Sequence, residues 1–599
     1  MMTLKTRILF CSALTGFLFG ARAQLVDESQ IGKAVPLGAI SESLAEQIGA
    51  GRGNVNMPLS SQYLIKRDPA RAVRRGRQLF QRKFTAAQGL GPRVTAHSVG
   101  DISANPAFGA GISDSCAGCH GRPKGSAGFG GVVTTRPDSR DAPHLFGLGL
   151  QEMIADEMTR SLRSQRDALV EQAKESGSGA STTLTAKGVS FGTLSVDGAG
   201  VLDVSQLEGL DPDLRVKPFF AQGSSFAMRE FIIGAFKDEM GLQAYDPDLA
   251  VAAAGGVVTT PSGMVLDGEQ DSFPAPPAVG ASVDPDGDGV VDEVDPALVD
   301  FMEFYLLNYF KPGIGRQTSR TEEGLVRMKE IGCTSCHIQN FTIEHDRRLA
   351  DVETVFDPVK GKINRLFATA ATRWMMVEDG DDYPLTLPEG KTFEVENIFT
   401  DFKRHDLGDA FHERNFDGSV TTQLMTEPLW GVGSTAPYGH DGRSINLTEV
   451  ILRHGGEAQA QADAFAALSD DEQRKIVEYL QTLILFPPDD TASNLNPGGY
   501  DGSLQDPANH GNINLGAIFQ IPDLSELPSA VKMSAGEGGL NLEWYGSGGN
   551  TYELQGSADF ENWTLIDSTT LNTGGVLRFS PNAESNHQFY RVRHRQEAQ

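Results

Sequence analysis

Two short stretches of this 599-residue chain carry cysteine and histidine at a spacing that can do chemistry: Cys116-Ala-Gly-Cys119-His120 and Cys333-Thr-Ser-Cys336-His337. C-x-x-C-H is the attachment pattern for c-type haem. Two intervening residues let both sulfurs reach the two vinyl groups on one porphyrin edge, and the adjoining histidine comes beneath the iron as proximal ligand. Of the five cysteines, Cys11 falls in an N-terminal apolar stretch, and the other four all lie in these two motifs. No thiol is left over for a disulfide framework. One zinc site built from both pairs would leave His120 and His337 unexplained. The residues therefore predict two covalent haems, with His120 and His337 as iron ligands.

A second pattern is rich in oxygen donors. Asp284-Pro-Asp286-Gly-Asp288-Gly289-Val290-Val291-Asp292-Glu293-Val294-Asp295 follows a calcium-loop spacing. Ligands would come from Asp284, Asp286, Asp288, the Val290 carbonyl, Asp292 and Asp295, with Gly289 at the sharp turn. Asp295 stands where a paired sensor loop has glutamate, and the preceding residues 272–283 are rich in proline and alanine. The pattern predicts a structural Ca²⁺ in an inserted loop.

The elements that must position the haem residues are legible around them. Gly324-Leu-Val-Arg-Met328 reads as a short helix entering Ile331-Gly332-Cys333, and Ala72 to Phe80 reads as its counterpart ahead of the first motif. Asn446-Leu-Thr-Glu449 has capping-box form and Gly455-Gly456 is a helix stop. Between them Leu447, Val450, Ile451 and His454 share one helical face, which makes His454 a candidate sixth ligand of the second haem. Ser469-Asp-Asp-Glu472 opens a further helix with Ile476, Val477, Leu480 and Leu483 inward, ending at Pro487-Pro488. Residues 176–200 and 253–280 are rich in Gly, Ser, Ala and Val and read as loop insertions. Beyond Pro488 the composition turns to Asp, Asn, Gly and Pro. Alternation then follows in Leu540-Asn-Leu542-Glu-Trp544, Thr551-Tyr-Glu-Leu554, Trp563-Thr-Leu565, Val576-Leu-Arg-Phe579 and Phe589-Tyr-Arg-Val592, the pattern of a small β-sandwich.

Lys5 and Arg7 precede an apolar stretch from Ile8 to Gly20, and Ala21-Arg22-Ala23 offers a small-x-small cleavage site before Gln24. This is a signal-peptide pattern, predicting a periplasmic or secreted protein. No apolar run is long enough to span a bilayer. The formal net charge of −28 repels nucleic acid and anionic lipid and suits a basic redox partner protein.

From Glu427 the stretch Pro428-Leu-Trp430-Gly … Ala436-Pro-Tyr438-Gly-His440-Asp-Gly-Arg443 … His454-Gly-Gly-Glu457 resembles the di-haem oxidoreductase family. That family is related to bacterial di-haem cytochrome c peroxidases and the methylamine-utilisation di-haem enzymes. Leu145-Phe-Gly-Leu-Gly-Leu150, Glu239-Met-Gly241 and His405-Asp-Leu-Gly408 are similar to it as well, so the resemblance runs from about Arg74 to Leu485. In the peroxidase relatives, the methionine fourteen residues after the His-Asp-Gly histidine ligates the second haem. The same step from His440 reaches His454, so the resemblance implies a His337/His454 pair. For the first haem, His144 is the nearest downstream candidate ligand, with Met153 behind it and His97 upstream. Peroxide chemistry would also need an acid–base group, for which Glu230 and Glu152 are candidates. The relatives place a tryptophan between the haems. This chain has none between Cys119 and Cys333, leaving Trp374, Trp430, Tyr305 or Tyr309 for such a relay.

The expected fold is mainly α: two cytochrome c-like haem domains with loop insertions, over 24–315 and 316–490, then a linker over 491–525 and a small C-terminal β-sandwich over 526–599. The expected function is that of an exported di-haem c-type cytochrome acting as an oxidoreductase, with electron transfer between its haems. The alternatives are a pure electron-transfer cytochrome without a substrate site and a binding protein, anchored by the sandwich, whose haems are structural.

Overall fold

The computed structural model describes residues 47–84, 115–120, 138, 140–273, 293–357, 366–381, 383–415 and 417–485. Towards the C-terminus it describes 495–496, 512–513, 528–529, 532–536, 539–546, 551–559, 562–570, 575–580 and 589–595. The signal-peptide pattern and all of the calcium loop except its last three residues lie outside these. The chain divides into two units, Met1–Asp357 with Leu366–Ser493, and Pro358–Arg365 with Asn494–Gln599.

Both C-x-x-C-H segments belong to the first unit. The helices that position them are, in chain order, α1 (Ser61–Arg67), α2 (Pro69–Gln81), α3 (Cys116–His120), α4 (Leu148–Ser176), α5 (Met228–Asp238), α6 (Pro296–Leu307), α7 (Ser319–Glu330), α8 (Leu447–Arg453) and α9 (Asp470–Leu480). Asp68 ends α1 and caps α2, its side chain accepting the Arg71 N–H, while Pro69 takes the first helical position, where no N–H is needed. α6 is buried on nearly every face, as an all-round apolar helix must be. Its two carboxylates, Asp300 and Glu303, pair with the buried Arg229 of α5 at 2.8 and 2.9 Å.

One device recurs in both halves of this unit: a helix crossing that only glycine permits. A Cβ at Gly76 of α2 would overlap the Phe301 carbonyl oxygen of α6, and a Cβ at Gly324 of α7 would overlap the Lys475 carbonyl oxygen of α9. The second crossing is framed by capping boxes at Thr318/Thr321 and Ser469/Glu472, which fix where each helix begins. It closes a core of Met328, Phe399, Leu447, Phe465, Ile476, Tyr479, Leu480 and Leu483.

The expectation of a mainly α fold is corrected. Helix accounts for 34% of residues and strand for 25%, spread over many small sheets, so the fold is mixed α and β. Part of the difference lies in stretches read as loop insertions. β1 (Ala180–Ala186), β2 (Val189–Val196) and β3 (Leu202–Leu207) form an antiparallel meander. Its Leu184, Ala186, Val189, Phe191, Leu194 and Val196 are buried. The high Ser and Thr content hides this alternation because Ser181, Thr183, Thr185 and Ser190 are exposed between the buried apolar residues. A hairpin of Val257–Thr259 with Val265–Asp267 occupies the other supposed loop. The rest lies between His337 and His440, where pairs such as Ala350–Phe356 with Leu366–Thr372 and Arg404–Asp406 with Gln423–Met425 replace the expected helical continuation.

In the second unit, one sheet has the order Pro528–Ser529, Phe589–Arg595, Thr551–Ser557, Thr564–Thr570, and another Lys532–Gly536, Gly539–Gly546, Gly575–Phe579. Leu542 and Trp544 share a core with Tyr552, Leu554 and Val592. No helix among the described residues is long and apolar enough to cross a membrane.

Candidate functional site

The second C-x-x-C-H segment follows α7 directly. Gly332 adopts φ +87°, a left-handed conformation that side chains rarely take, and a single turn of 3₁₀-helix, Cys333–Ser335, follows. His337 then donates its Nδ1–H to the Phe399 carbonyl at 3.0 Å. A carbonyl can only accept, so the proton sits on Nδ1 and Nε2 is left with its lone pair. Burial, with a smaller contribution from the nearby His454, lowers the His337 pKa to about 4.

His454 follows the last turn of α8, whose start is capped by the Asn446 side chain on the Glu449 N–H. It donates Nδ1–H to the Val450 carbonyl at 2.7 Å, again leaving Nε2 as a bare acceptor. The Phe411 ring lies edge-on at 5.3 Å and fixes the imidazole plane. The first motif forms α3, and His120 donates Nδ1–H to the Pro143 carbonyl at 2.6 Å. His120, His337 and His454 thus share one arrangement, in which a backbone carbonyl selects the tautomer and Nε2 is available as a ligand.

All these residues line one cavity of about 500 Å³. Both motifs open onto it, and most of the remaining lining is apolar or aromatic, including Phe80, Phe219, Phe220, Phe231, Leu429 and Trp430. The four cysteines form no disulfide. Burial pushes the Cys116 thiol up to about 12 and the Cys333 thiol to about 11. An uncharged thioether suits these surroundings. The donor set and the apolar walls therefore fit two porphyrins carried on the C-x-x-C-H segments.

The segment Leu424–Trp430 lines the cavity. Ile398, Phe399 and Thr400 hold it and the second motif together. The Ile398 carbonyl accepts the Leu429 N–H at 2.9 Å, the Phe399 carbonyl accepts His337, and the Thr400 hydroxyl donates to the Thr426 carbonyl. On the other side the Trp430 carbonyl accepts His144 Nε2–H at 3.0 Å. Since His144 Nδ1 also accepts the Phe146 N–H at 3.2 Å, both nitrogens of this predicted candidate are engaged, although it lines the cavity. His97 lies outside the described residues. Met153 is buried in α4, its sulfur against the Arg347 amide.

Other candidates are placed elsewhere. Glu152 is buried, accepting the Met228 N–H at 2.8 Å and pairing with Arg347 at 2.6 Å. Glu230 accepts the Ser225 hydroxyl at 2.6 Å. Neither is among the residues lining the cavity. Trp430 lines it. Tyr305 and Tyr309 lie with tilted rings 5.0 Å apart in the core against Phe80, and Trp374 sits on the hairpin with Leu385–Pro388. Of the calcium pattern only Glu293, Val294 and Asp295 are described, and Asp295 caps α6 by accepting the Ala297 N–H.

Three residues that sequence reasoning did not assign a role also face the cavity. His405 is held between Asp401 at 2.9 Å and Glu457 at 2.8 Å. Burial alone would keep it neutral, but Asp401, the Cys336 sulfur and Glu457 outweigh burial and lift its pKa to about 11. Cys336, Asp401 and His405 bring donor atoms within 4.8 Å of one another, yet both His405 nitrogens are spent on carboxylates. His440 has a buried Nδ1 without a hydrogen bond. Glu427 opens onto the cavity with no charged partner among the described residues, and the protein surrounding it lifts its carboxyl to about 7. A carboxylate directly before Pro428 in an apolar stretch was the available signal.

No curated protein and no solved structure matches the chain. Residues 381–483, which carry His405, Glu427, Trp430, His440 and His454 but neither C-x-x-C-H motif, match the family described as "Di-haem oxidoreductase, putative peroxidase", a name that implies two haems.

Proposed function

We propose that this cavity holds two covalent c-type haems, one on Cys116 and Cys119 with His120 as ligand, the other on Cys333 and Cys336 with His337 and His454. The observation that carries this reading is the shared arrangement of the three histidines, each with Nδ1 on a carbonyl, around one apolar cavity onto which both motifs open. When bound, the two irons supply one-electron chemistry. The chain's part is to hold them: the cysteines fix each porphyrin edge, the carbonyls of Pro143, Phe399 and Val450 fix each imidazole, and the aromatic walls exclude water.

The function we infer is that of an oxidoreductase exchanging electrons with a redox partner protein, with a reactive position at the first haem. In its favour, both nitrogens of His144 are tied to the backbone, so this histidine would not be free to serve as a second ligand to the haem held by His120. The alternative, a pure electron-transfer cytochrome, needs two six-coordinate haems. The resting spectrum separates them: a high-spin component, or cyanide binding at one haem, supports the enzyme, and two unreactive low-spin haems support the carrier. We further propose export through the N-terminal signal pattern, read out as a mature chain beginning at Gln24. The acidic loop ending at Asp295 is proposed as a structural calcium site.

A further inference from the structure

Glu427 occupies a position that the residues around it do not explain. Its side chain is accessible although protein encloses it, so the space it reaches is the cavity. The backbone on each side is fixed: Thr426 N–H donates to the Lys403 carbonyl and Leu429 N–H to the Ile398 carbonyl, both at 2.9 Å. The head group contributes nothing to that anchoring.

The ionisable groups on the neighbouring segments are committed elsewhere. Lys403 pairs with Glu208 at 3.0 Å, Arg404 with Asp211, and His405 with Asp401 and Glu457. His144 is bound to the Trp430 carbonyl, and Arg140, across the cavity, pairs with Glu413. Among the described residues no hydrogen bond or ion pair reaches Glu427. With the cavity filled as the di-haem reading requires, a carboxylate facing it without a partner would be costly, and an amide or aliphatic side chain would occupy the place at less cost. What a carboxyl offers here, and those residues do not, is a proton it can take and give.

We propose that Glu427 is a proton-exchanging residue of the cavity, binding one proton when one electron enters and releasing it when that electron leaves. This rests on the di-haem reading of the cavity. A one-electron donor, the redox partner or a chemical reductant, adds one negative charge to the enclosed space. One proton from solvent then forms the O–H bond on Glu427, turning carboxylate into carboxylic acid and restoring the net charge. On oxidation the bond breaks and the proton returns to solvent. Because enclosure already brings the carboxyl to about 7, a modest change in local potential moves the proton near neutral pH.

The test is infrared difference spectroscopy, reduced minus oxidised, on the full-length haem-loaded protein, with the visible haem bands followed in the same cell. Wild type should gain the carbonyl stretch of a protonated carboxyl on reduction and lose a carboxylate band. Glu427→Gln should lose that pair of features while retaining both sets of haem bands, and Glu427→Asp should restore them at a shifted frequency. Haem propionates can contribute a carboxyl signal too, but substitution at Glu427 would leave it unmoved. An unchanged difference spectrum in Glu427→Gln, with haem bands intact, overturns the assignment to Glu427 alone. A purified protein without haem bands overturns the di-haem reading and this proposal together.

Discussion

His337 and His454 approach the same cavity in the same tautomer, each with Nδ1–H on a backbone carbonyl, Phe399 at 3.0 Å and Val450 at 2.7 Å, and each with Nε2 left as a lone pair. The Val450 bond satisfies a carbonyl near the end of α8. Helix termination and the presentation of a bare Nε2 to the cavity are therefore performed by one hydrogen bond.

The first prediction follows from that pair. His454→Met should keep six coordination and raise one of two midpoint potentials, because thioether favours ferrous iron relative to imidazole. His454→Ala should open the site and give a high-spin signal or cyanide binding. Either change also loses the Val450 hydrogen bond, worth about 0.5–1.5 kcal/mol. If His454 only ends the helix, stability falls by that amount while spectra and potentials stay where they were.

The glycine crossings give a prediction independent of any cofactor. Gly324→Ala should separate α7 from α9 and cost about 1–3 kcal/mol, the usual range for overpacking a tight contact. Gly76→Ala should do the same between α2 and α6. Chemical denaturation reads both, and a midpoint unchanged by either substitution would mean that the crossing is wider than described.

His405 sets a pH dependence with a definite sign. Its folded pKa of about 11 lies above the ordinary 6.5, so its contribution to stability is complete below pH 6.5 and is lost as pH rises through about 11. In His405→Gln the difference from wild type should be largest at the acid end of that window and shrink towards its alkaline end. A difference that grows with pH would contradict the charged assignment.

Calcium should raise the thermal midpoint by binding the native state alone. Asp286→Ala combined with Asp288→Ala should abolish that rise. A response that survives the double substitution would place any bound calcium elsewhere.

Much of the second half of the site is local chemistry, and local chemistry is legible. Asn446 and Ser469 cap the helices their spacing suggests, Gly332 stands where φ is positive, and Cys333 to His337 occupy consecutive positions in one turn. What was not legible is long-range. The strands of 180–207 alternate with Ser and Thr outward, which composition reads as loop. Glu152 and Glu230 resemble catalytic carboxylates until their partners, Arg347, Met228 and Ser225, are known. Glu427 shows the reverse: its place directly before Pro428 is legible, but the lack of a charged partner among the described residues appears only once the chain is folded.

The central claim is that both C-x-x-C-H segments carry haem, and a pyridine haemochrome assay on protein exported with intact cytochrome maturation tests it most directly. Two haems per chain, both resistant to acid–acetone extraction, are predicted. Four alkylatable thiols, or stoichiometric zinc in that same material, would contradict it.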